Sequence, residues 1–295
     1  MTGHLWTIGP TLLERVRPAP APPGQPWTAT VQDPQTGALT LHGVLADPGS
    51  STVVVLVHGI ASSPDARYVK TAATELHERG LATLRLGLRG TDRSGVDIYH
   101  AGHTADVLAA VQALESFEQV VLVGISLGGS NIGNALMEVE DARVLGGVAI
   151  CPPVDLALGQ KHIDRPACWV YRRHVLSGLK ETWAACGAFH DTPPWTTDHS
   201  GVTTLLDWDA RVVVPRFGFE DTADYYRRSS LAGRLERLRR PLVIAACPHD
   251  PMIPYAGATG AFDQDPGPAV LMEVSGGHVY GASILPAMDR LYSQL

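Results

Sequence analysis

The sequence Gly124-Ile125-Ser126-Leu127-Gly128 follows the β-branched apolar run Val120–Val123 and precedes the small, helix-compatible stretch Gly129–Met137. This order predicts a strand, a sharp turn and a helix, the context that makes G-x-S-x-G a nucleophile elbow. The glycines allow close backbone packing, and the turn is expected to hold Ser126 in a strained conformation at the carboxyl end of a sheet. Ser126 is therefore the candidate nucleophile.

Alternating strand and helix patterns extend on both sides of this turn. Apolar stretches around Asp33–Gly37 predict a hairpin, and the unbroken run Val53–Val57 predicts a strand buried on both faces. The pattern predicts an α/β fold with a mostly parallel twisted sheet, helices on both faces, and ligands at the carboxyl ends of the strands. The other predicted strands are Leu81–Leu86, Val120–Val123, Val144–Ile150, Pro241–Cys247 and Ala269–Val274; the predicted helices are Asp65–Arg79, Thr104–Ser116, Leu127–Val139, one near Tyr255 and one from Ala282, and the β–α pattern resumes over Leu231–Arg239.

Three parts of the chain differ in pattern. Residues 1–26 end in a proline-rich run, which predicts a stiff N-terminal arm lying over the surface or partly mobile. Residues 27–154 and 229–295 carry the β–α pattern and are expected to form the core. In residues 155–228 the alternation stops, and we expect a helical cap inserted over the site. Four of the six tryptophans lie there, as an apolar roof or as ordinary packing residues.

A base and an acid are needed because a serine hydroxyl is a weak nucleophile until its proton is removed. In elbow-type folds they follow the serine in the order acid, then histidine. Asp250 follows Pro241–Cys247 and His278 follows Ala269–Val274, so both are expected on the same rim as Ser126. Each alone has an ordinary alternative, as a turn aspartate before proline or as a loop histidine. Their occurrence together, in this order, predicts a catalytic triad.

The tetrahedral intermediate of acyl transfer needs two donors for its oxyanion. The first predicted donor is the backbone N–H of Leu127, directly after the nucleophile, and the second is that of Ile60, in the loop after Val53–Val57. His58 in the same loop is expected to brace it rather than to move protons.

Other polar residues have less demanding interpretations. His249 is expected to be a surface loop histidine, and Asp263 and Asp265 are expected to be solvated. His100 and His103 form H-x-x-H, but no cysteine or acidic partner stands at metal-ligand spacing. We therefore predict neither a metal ion nor an organic cofactor.

Composition limits the classes of partner. The chain has 295 residues, 45% of them hydrophobic and 18% charged, as in a soluble globular protein. Its net charge of −7 argues against nucleic acid as a partner.

The four cysteines form no C-x-x-C pair and are expected to be buried free thiols. No apolar run is long enough for an integral membrane segment, and no secretory signal pattern is visible, so we expect a cytoplasmic protein. The sequence does not indicate its oligomeric state.

Further stretches carry a family resemblance: Leu88-Arg89-Gly90, Tyr99–Asp106, Cys151–Leu156, Leu206–Asp209, Gly218-Phe219 and Asp224–Ser230. From about Val53 to the C-terminus the chain resembles the α/β-hydrolase superfamily, and more narrowly the group of YheT-type hydrolases, plant embryogenesis-associated proteins and animal abhydrolase-domain lipases. The resemblance implies a carboxylic-ester hydrolase with the triad Ser126, Asp250 and His278. Many relatives have two acidic residues where this chain has His249-Asp250, and the aspartate before Pro-x-Ile-Pro is the one retained.

The sequence thus predicts a serine esterase that acts on a small-molecule acyl ester through an acyl-enzyme intermediate. A thioesterase or a small-amide or peptide hydrolase with the same triad is the alternative. A second alternative is a non-catalytic binding module, whose signature would be a missing triad residue, and none is missing here. Acyl-chain length and physiological substrate cannot be read from these patterns.

Overall fold

An eight-stranded sheet lies at the centre of the protein. The structure is a computed structural model that describes Thr7 and residues 19–34, 36–93, 97–189, 201–278 and 283–295. The side chains of residues 187–189 are not described. The strand order is β1-β2-β4-β3-β5-β6-β7-β8. β1 and β2 form an antiparallel hairpin, β2 pairs antiparallel with β4, and the other pairs are parallel. The strands are β1 (Gln25–Asp33), β2 (Gly37–Ala46), β3 (Thr52–Val57), β4 (Ala82–Gly87), β5 (Gln119–Ile125), β6 (Val144–Ile150), β7 (Leu242–Ala246) and β8 (Ala269–Glu273).

Helices connect the strands and pack against the sheet. They are α1 (Arg67–Glu78), α2 (Ala105–Ala113), α3 (Leu127–Glu138), α4 (Leu156–Ile163), α5 (Trp169–Phe189), α6 (Leu205–Trp208), α7 (Val214–Phe217), α8 (Thr222–Ser229), α9 (Tyr255–Ala261) and α10 (Leu285–Tyr292). A π-helical turn, Asp209–Val213, joins α6 to α7, and 3-10 turns occupy Pro166–Cys168 and Leu235–Arg237.

The predicted fold class is confirmed. Every residue of β3 and β4 is buried, as expected for apolar strands covered on both faces. Two hydrophobic clusters lie on the two sides of the sheet, because successive side chains of a strand point to opposite faces: Val53 and Val55 join one cluster, and Val54 and Leu56 join the other.

The stretch over which the β–α pattern was expected to resume contains little regular structure. The stretch Leu231–Arg239 forms only the 3-10 turn Leu235–Arg237. Gly233 has a φ of 72°, outside the helical region, and the backbone N–H of Arg239 donates to the carbonyl of Leu136 at 3.0 Å instead of to a residue one turn earlier. The last helix runs over Leu285–Tyr292, and residue 282, where its start was expected, lies outside the described residues.

Between β6 and β7 the regular elements that the structure describes are all helical or 3-10 and π turns, from α4 to the 3-10 turn Leu235–Arg237. We propose that most of this segment is the cap. Of the predicted N-terminal arm, Thr7 and residues 19–26 are described, and β1 already begins at Gln25. Trp195 lies outside the described residues.

A buried ion network joins the segment between β6 and β7 to the rest of the molecule. Arg89 contacts Asp33 at 2.6 Å, Asp97 at 2.9 Å and Asp106 at 2.7 Å. Arg216, on α7, donates to the same Asp97 at 2.7 Å. Burial alone would raise the pKa of Asp106, but His103 and Arg89 outweigh it, and the pKa lies well below its usual range. Each buried charge therefore has an opposite charge beside it, which offsets its desolvation.

Within the described part of the chain, no helix combines the length and the apolar character needed to cross a lipid bilayer.

Candidate active site

Ser126 occupies a strained turn between β5 and α3. Its φ of 55° and ψ of −125° place a non-glycine residue in the positive-φ region. A Cβ on Gly124 would lie 2.2 Å from the carbonyl oxygen of Gly128, and one on Gly128 would lie 2.4 Å from that of Val57. Glycine is therefore required on both sides of the serine by close backbone contact. Leu127 is the first residue of α3, so its N–H has no acceptor inside the helix.

The structure brings together the three side chains that the sequence placed at strand ends. His278 Nε2 lies 3.0 Å from Ser126 Oγ, and His278 Nδ1 lies 2.7 Å from Asp250 Oδ2. All three residues are less than 10% exposed. Because the carboxylate accepts the Nδ1 proton, Nε2 is left as the nitrogen that can accept the serine proton.

The Asp250 carboxylate is fixed by the turn that follows it. Its Oδ1 accepts the backbone N–H groups of Met252 at 2.7 Å and Ile253 at 3.0 Å, while Oδ2 accepts from His278. His249, the adjacent residue, is exposed, as expected for a surface loop histidine. The structure thus separates the two neighbours, one facing the histidine and one facing solvent.

The loop after β3 passes close to Ser126: a Cβ on Gly59 would lie 3.1 Å from the Cβ of Ser126, and the next residue, Ile60, lines the same cavity as the serine. Two tyrosines use the amides on either side: the Gly59 N–H donates to Tyr68 Oη at 2.9 Å, and the Ala61 N–H donates to Tyr99 Oη at 3.1 Å. The Ile60 N–H has no acceptor among the described residues. Of these three consecutive amides, it is the one without a protein acceptor in the described part of the chain.

His58 braces this loop. Its ring is fully buried, with Nδ1 2.8 Å from the Gly59 carbonyl oxygen and Nε2 3.3 Å from the backbone N–H of Leu88, which it accepts. Burial, partly opposed by the Gly59 carbonyl, lowers the pKa of His58 to about 4. The imidazole is therefore neutral at neutral pH and acts as a two-ended structural bridge.

A cavity of about 80 Å³ lies above Ser126, between the sheet and the helices that follow β6. Its walls are mostly apolar, with aliphatic, aromatic and thioether side chains such as Leu127, Ile163, Leu179, Trp208 and Met252. The ring of Trp208 packs edge-on against that of Trp183, with centroids 6.3 Å apart. Trp169, by contrast, is 56% exposed. Of these three tryptophans, only Trp208 lines the cavity.

The H-x-x-H histidines have structural surroundings. His100 lines the cavity wall, its ring centroid 4.3 Å from that of Phe217, and burial lowers the pKa of His100 well below its usual value. His103 Nε2 lies 3.4 Å from Asp106, whose carboxylate Arg89 also binds. In the described ranges, no group of three His, Cys, Asp or Glu side chains is arranged to hold a metal ion.

Three residues near the site were not identified from the sequence. The Thr7 hydroxyl accepts the backbone N–H of His278 at 3.0 Å, across 271 positions, and no local pattern could indicate this contact. Asp209 and Tyr226 line the cavity. Both belong to the stretches that carried the family resemblance, which was the only sequence signal for them.

Comparison with known proteins gives a consistent result. The model of the alpha/beta hydrolase family matches residues 54–291. Abhydrolase domain-containing protein 2 of Drosophila melanogaster is 25% identical over 275 residues, covering 86% of this chain and 68% of that protein. YheT of Escherichia coli (strain K12) is 27% identical over 255 residues, covering 82% and 74%. These matches confirm the predicted resemblance to the YheT and animal abhydrolase group.

A yeast relative carries an activity in its name. Medium-chain fatty acid ethyl ester synthase/esterase 2 of Saccharomyces cerevisiae (strain ATCC 204508 / S288c) is 24% identical over 234 residues, covering 68% of this chain and 51% of that protein. Among solved structures, the esterase Pf2001 of Pyrococcus furiosus superposes with a TM-score of 0.59 at 17% identity, covering 92% of this chain and 90% of the other. At that identity the likeness concerns the fold.

Proposed function

The chain belongs to the alpha/beta hydrolase family, and on that premise we propose that it is a serine carboxylic-ester hydrolase with Ser126, His278 and Asp250 as its catalytic triad. The observation that carries the proposal is the pair of hydrogen bonds, 3.0 Å and 2.7 Å long, that runs from the hydroxyl through the imidazole to the carboxylate. This arrangement of nucleophile, base and orienting acid is the one that acyl transfer through serine requires.

Acylation follows from these positions. Ser126 Oγ bonds to the ester carbonyl carbon while His278 Nε2 takes its proton. Asp250 keeps the imidazole in the required tautomer and stabilises the imidazolium that forms. The amides of Leu127 and Ile60 donate to the oxyanion of the tetrahedral intermediate, where charge develops.

Collapse of the intermediate breaks the bond to the alcohol oxygen, and the imidazolium of His278 supplies the proton that this oxygen needs. A water molecule then attacks the acyl group on Ser126 while His278 accepts one of its protons. The carboxylic acid leaves, Ser126 Oγ recovers its proton, and the resting state returns. Each step uses groups of the chain, the ester and water.

The cavity supports an ester with a short aliphatic chain as substrate. Its lining is largely apolar, which suits a hydrocarbon group. Its volume of about 80 Å³ is smaller than the apolar cavity of about 150 Å³ that holds one benzene molecule. We therefore expect p-nitrophenyl butyrate to be hydrolysed with a higher kcat/KM than p-nitrophenyl octanoate.

The decisive experiment compares two serines of one helical region. Ser126→Ala should lower the turnover of p-nitrophenyl butyrate by at least about 10³-fold, because the nucleophile is removed. Ser130→Ala is the matched control: this buried hydroxyl donates to the Pro153 carbonyl at 3.2 Å and lies outside the proposed chemistry. Wild-type turnover in Ser126→Ala would overturn the proposal.

The two alternatives require separate measurements. A thioesterase or amide hydrolase would use the same triad, so kcat/KM must be compared for an ester, a thioester and an amide with one common acyl group. A binding module would leave Ser126 unreactive. Failure of a fluorophosphonate probe to label Ser126, as read by mass spectrometry of the intact protein, would favour that alternative.

A further inference from the structure

A buried carboxyl group lies in the wall of the cavity above Ser126. Asp209 is 8% exposed, and its Oδ2 accepts the hydroxyl proton of Tyr226 at 2.7 Å. Its Oδ1 has no hydrogen-bond donor among the described residues. This oxygen keeps some accessible surface, so a molecule that enters the cavity can reach it. A ligand that displaces water from the oxygen is favoured when it supplies a hydrogen bond of its own.

The backbone around Asp209 is also unusual. The residue opens the π-helical turn Asp209–Val213, which interrupts the helical path between α6 and α7. Such turns insert one residue into a helix and are found frequently at functional sites. The irregular turn is thus the element that carries the carboxyl group lining the cavity.

Several other polar groups of the cavity wall have hydrogen-bond partners in the protein. The Tyr99 hydroxyl accepts the Ala61 N–H at 3.1 Å, the Gln160 amide donates to Asp164 at 2.6 Å, and the Tyr225 hydroxyl accepts the Ala101 N–H at 3.2 Å. Asp209 differs from these neighbours in carrying a carboxyl group, one oxygen of which has no hydrogen-bond donor in the described part of the chain.

The protonation of Asp209 suits a neutral partner. Burial, the largest influence, raises the pKa of Asp209 to about 7; the Tyr226 hydroxyl opposes this effect and the charge of Asp164 adds to it. Near neutral pH much of the carboxyl is uncharged, and a carboxylic acid both donates and accepts. A hydroxyl group has the same double capacity, and it brings no charge into an apolar cavity.

We propose that Asp209 is a specificity-determining residue that selects esters whose short aliphatic chain carries a hydroxyl group over the unsubstituted esters. The proposal rests on the proposed function, since the cavity is a substrate site only if Ser126 is the nucleophile. A site built to hydrogen-bond a substrate hydroxyl rejects the analogue that lacks it, because its own buried polar group is then left without a partner.

The test uses two matched ester pairs, one for each side of the ester bond. They are ethyl 3-hydroxybutanoate with ethyl butanoate, and 4-hydroxybutyl acetate with butyl acetate. Acid release at constant pH gives kcat/KM for each ester. We expect the wild-type protein to prefer the hydroxylated member of at least one pair by about tenfold or more.

Variants separate recognition from folding. Asp209→Leu should abolish this preference, because the kcat/KM of the unsubstituted ester should rise relative to that of the hydroxylated ester of the same pair. Asp209→Asn keeps the shape and an acceptor for Tyr226, and it should reduce the preference less. Asp207→Asn, two residues earlier and outside the cavity wall, is the control that should leave the ratio unchanged. Fluorophosphonate labelling of each preparation gives its fraction of reactive protein.

The outcomes distinguish the two proposals. If the plain esters are hydrolysed and neither Asp209 variant changes the ratio within either pair, the serine esterase stands and the role of Asp209 is wrong. If both members of a pair fall equally in Asp209→Leu and Asp209→Asn, the residue serves only the structure of the cap. If the wild-type protein hydrolyses p-nitrophenyl butyrate but none of the four esters, the role of Asp209 is wrong. If it hydrolyses none of the five, the proposed function itself is wrong.

Discussion

The Thr7 side chain holds the backbone of His278: its Oγ1 accepts the His278 N–H at 3.0 Å, and both residues are buried. His278, which bridges Ser126 and Asp250, is thus fixed at its main chain by Thr7 and at its ring by the Asp250 carboxylate. In the proposed mechanism its ring must meet both partners at once, so it depends on such a support.

Thr7→Val tests this support. The variant keeps the shape and removes the acceptor, at a cost of about 1 kcal/mol for a neutral hydrogen bond, so we expect kcat to fall roughly fivefold with little change in KM. Steady-state kinetics with p-nitrophenyl butyrate measure both. Thr259→Val, at an exposed position of α9, should be indistinguishable from wild type. A Thr7→Val protein with unchanged kcat would show that the ring contacts alone position the histidine.

Two adjacent residues allow a sharp test of the acid. Asp250→Asn retains an acceptor for the Met252 and Ile253 amides but cannot hold the imidazole of His278 in the required tautomer. We expect kcat to fall by roughly 10³- to 10⁴-fold. His249→Asn changes an exposed side chain and should leave kcat within about twofold of wild type. Equal effects of the two substitutions would contradict the assignment of the acid.

The tyrosines that fix the loop after β3 are expected to control the oxyanion donor. Tyr99 accepts the Ala61 N–H at 3.1 Å and donates to the Gly59 carbonyl at 3.2 Å, on both sides of Ile60. Tyr99→Phe should therefore lower kcat about tenfold while KM changes little, because the donor is needed in the transition state. Tyr292→Phe, at a residue 39% exposed, is the control. An effect confined to KM would assign Tyr99 to substrate binding instead.

The buried His58 predicts how stability depends on pH. Its pKa is lowered to about 4 in the folded protein, whereas the unfolded chain takes up this proton near pH 6.5. Between these values the unfolded state binds more protons, so this residue should make the free energy of unfolding fall as the pH falls, with a slope that approaches about 1.4 kcal/mol per pH unit midway between the two pKa values. Urea unfolding at pH 7, 6 and 5 measures the slope.

His58→Asn should be less stable at pH 7, because the bridge between Gly59 and Leu88 is weakened. Its slope between pH 6.5 and 4 should be smaller than that of wild type by close to one proton. The same slope in both proteins would mean that other groups cause the acid sensitivity.

The sequence predicted the structural features that depend on the order of residues within a short stretch of the chain. The strand, turn and helix around Ser126 are contiguous, and the glycines that the turn needs stand beside it. Asp250 and His278 could be located because parallel strands end on one edge of a sheet, so their position after β7 and β8 is enough to place them near the serine.

Contacts between distant segments could not be predicted in this way. Thr7 reaches His278 across most of the chain, and Asp209 lines the cavity because several helices after β6 pack together. The stretch Leu231–Arg239 forms no regular helix, because Gly233 has a positive φ and the N–H of Arg239 bonds to the distant Leu136. These contacts and this local conformation depend on packing between segments that are distant in the sequence.

The positive φ of Ser126 lowers the thermal stability of the protein at the residue that carries the proposed nucleophile. An L-residue held there costs on the order of 1–3 kcal/mol, which glycine would not incur. We expect Ser126→Gly to melt at a higher temperature than Ser126→Ala in differential scanning calorimetry, although both lack the hydroxyl. Under the proposed function, a descendant that no longer needed the nucleophile would gain thermal stability by replacing Ser126 with glycine.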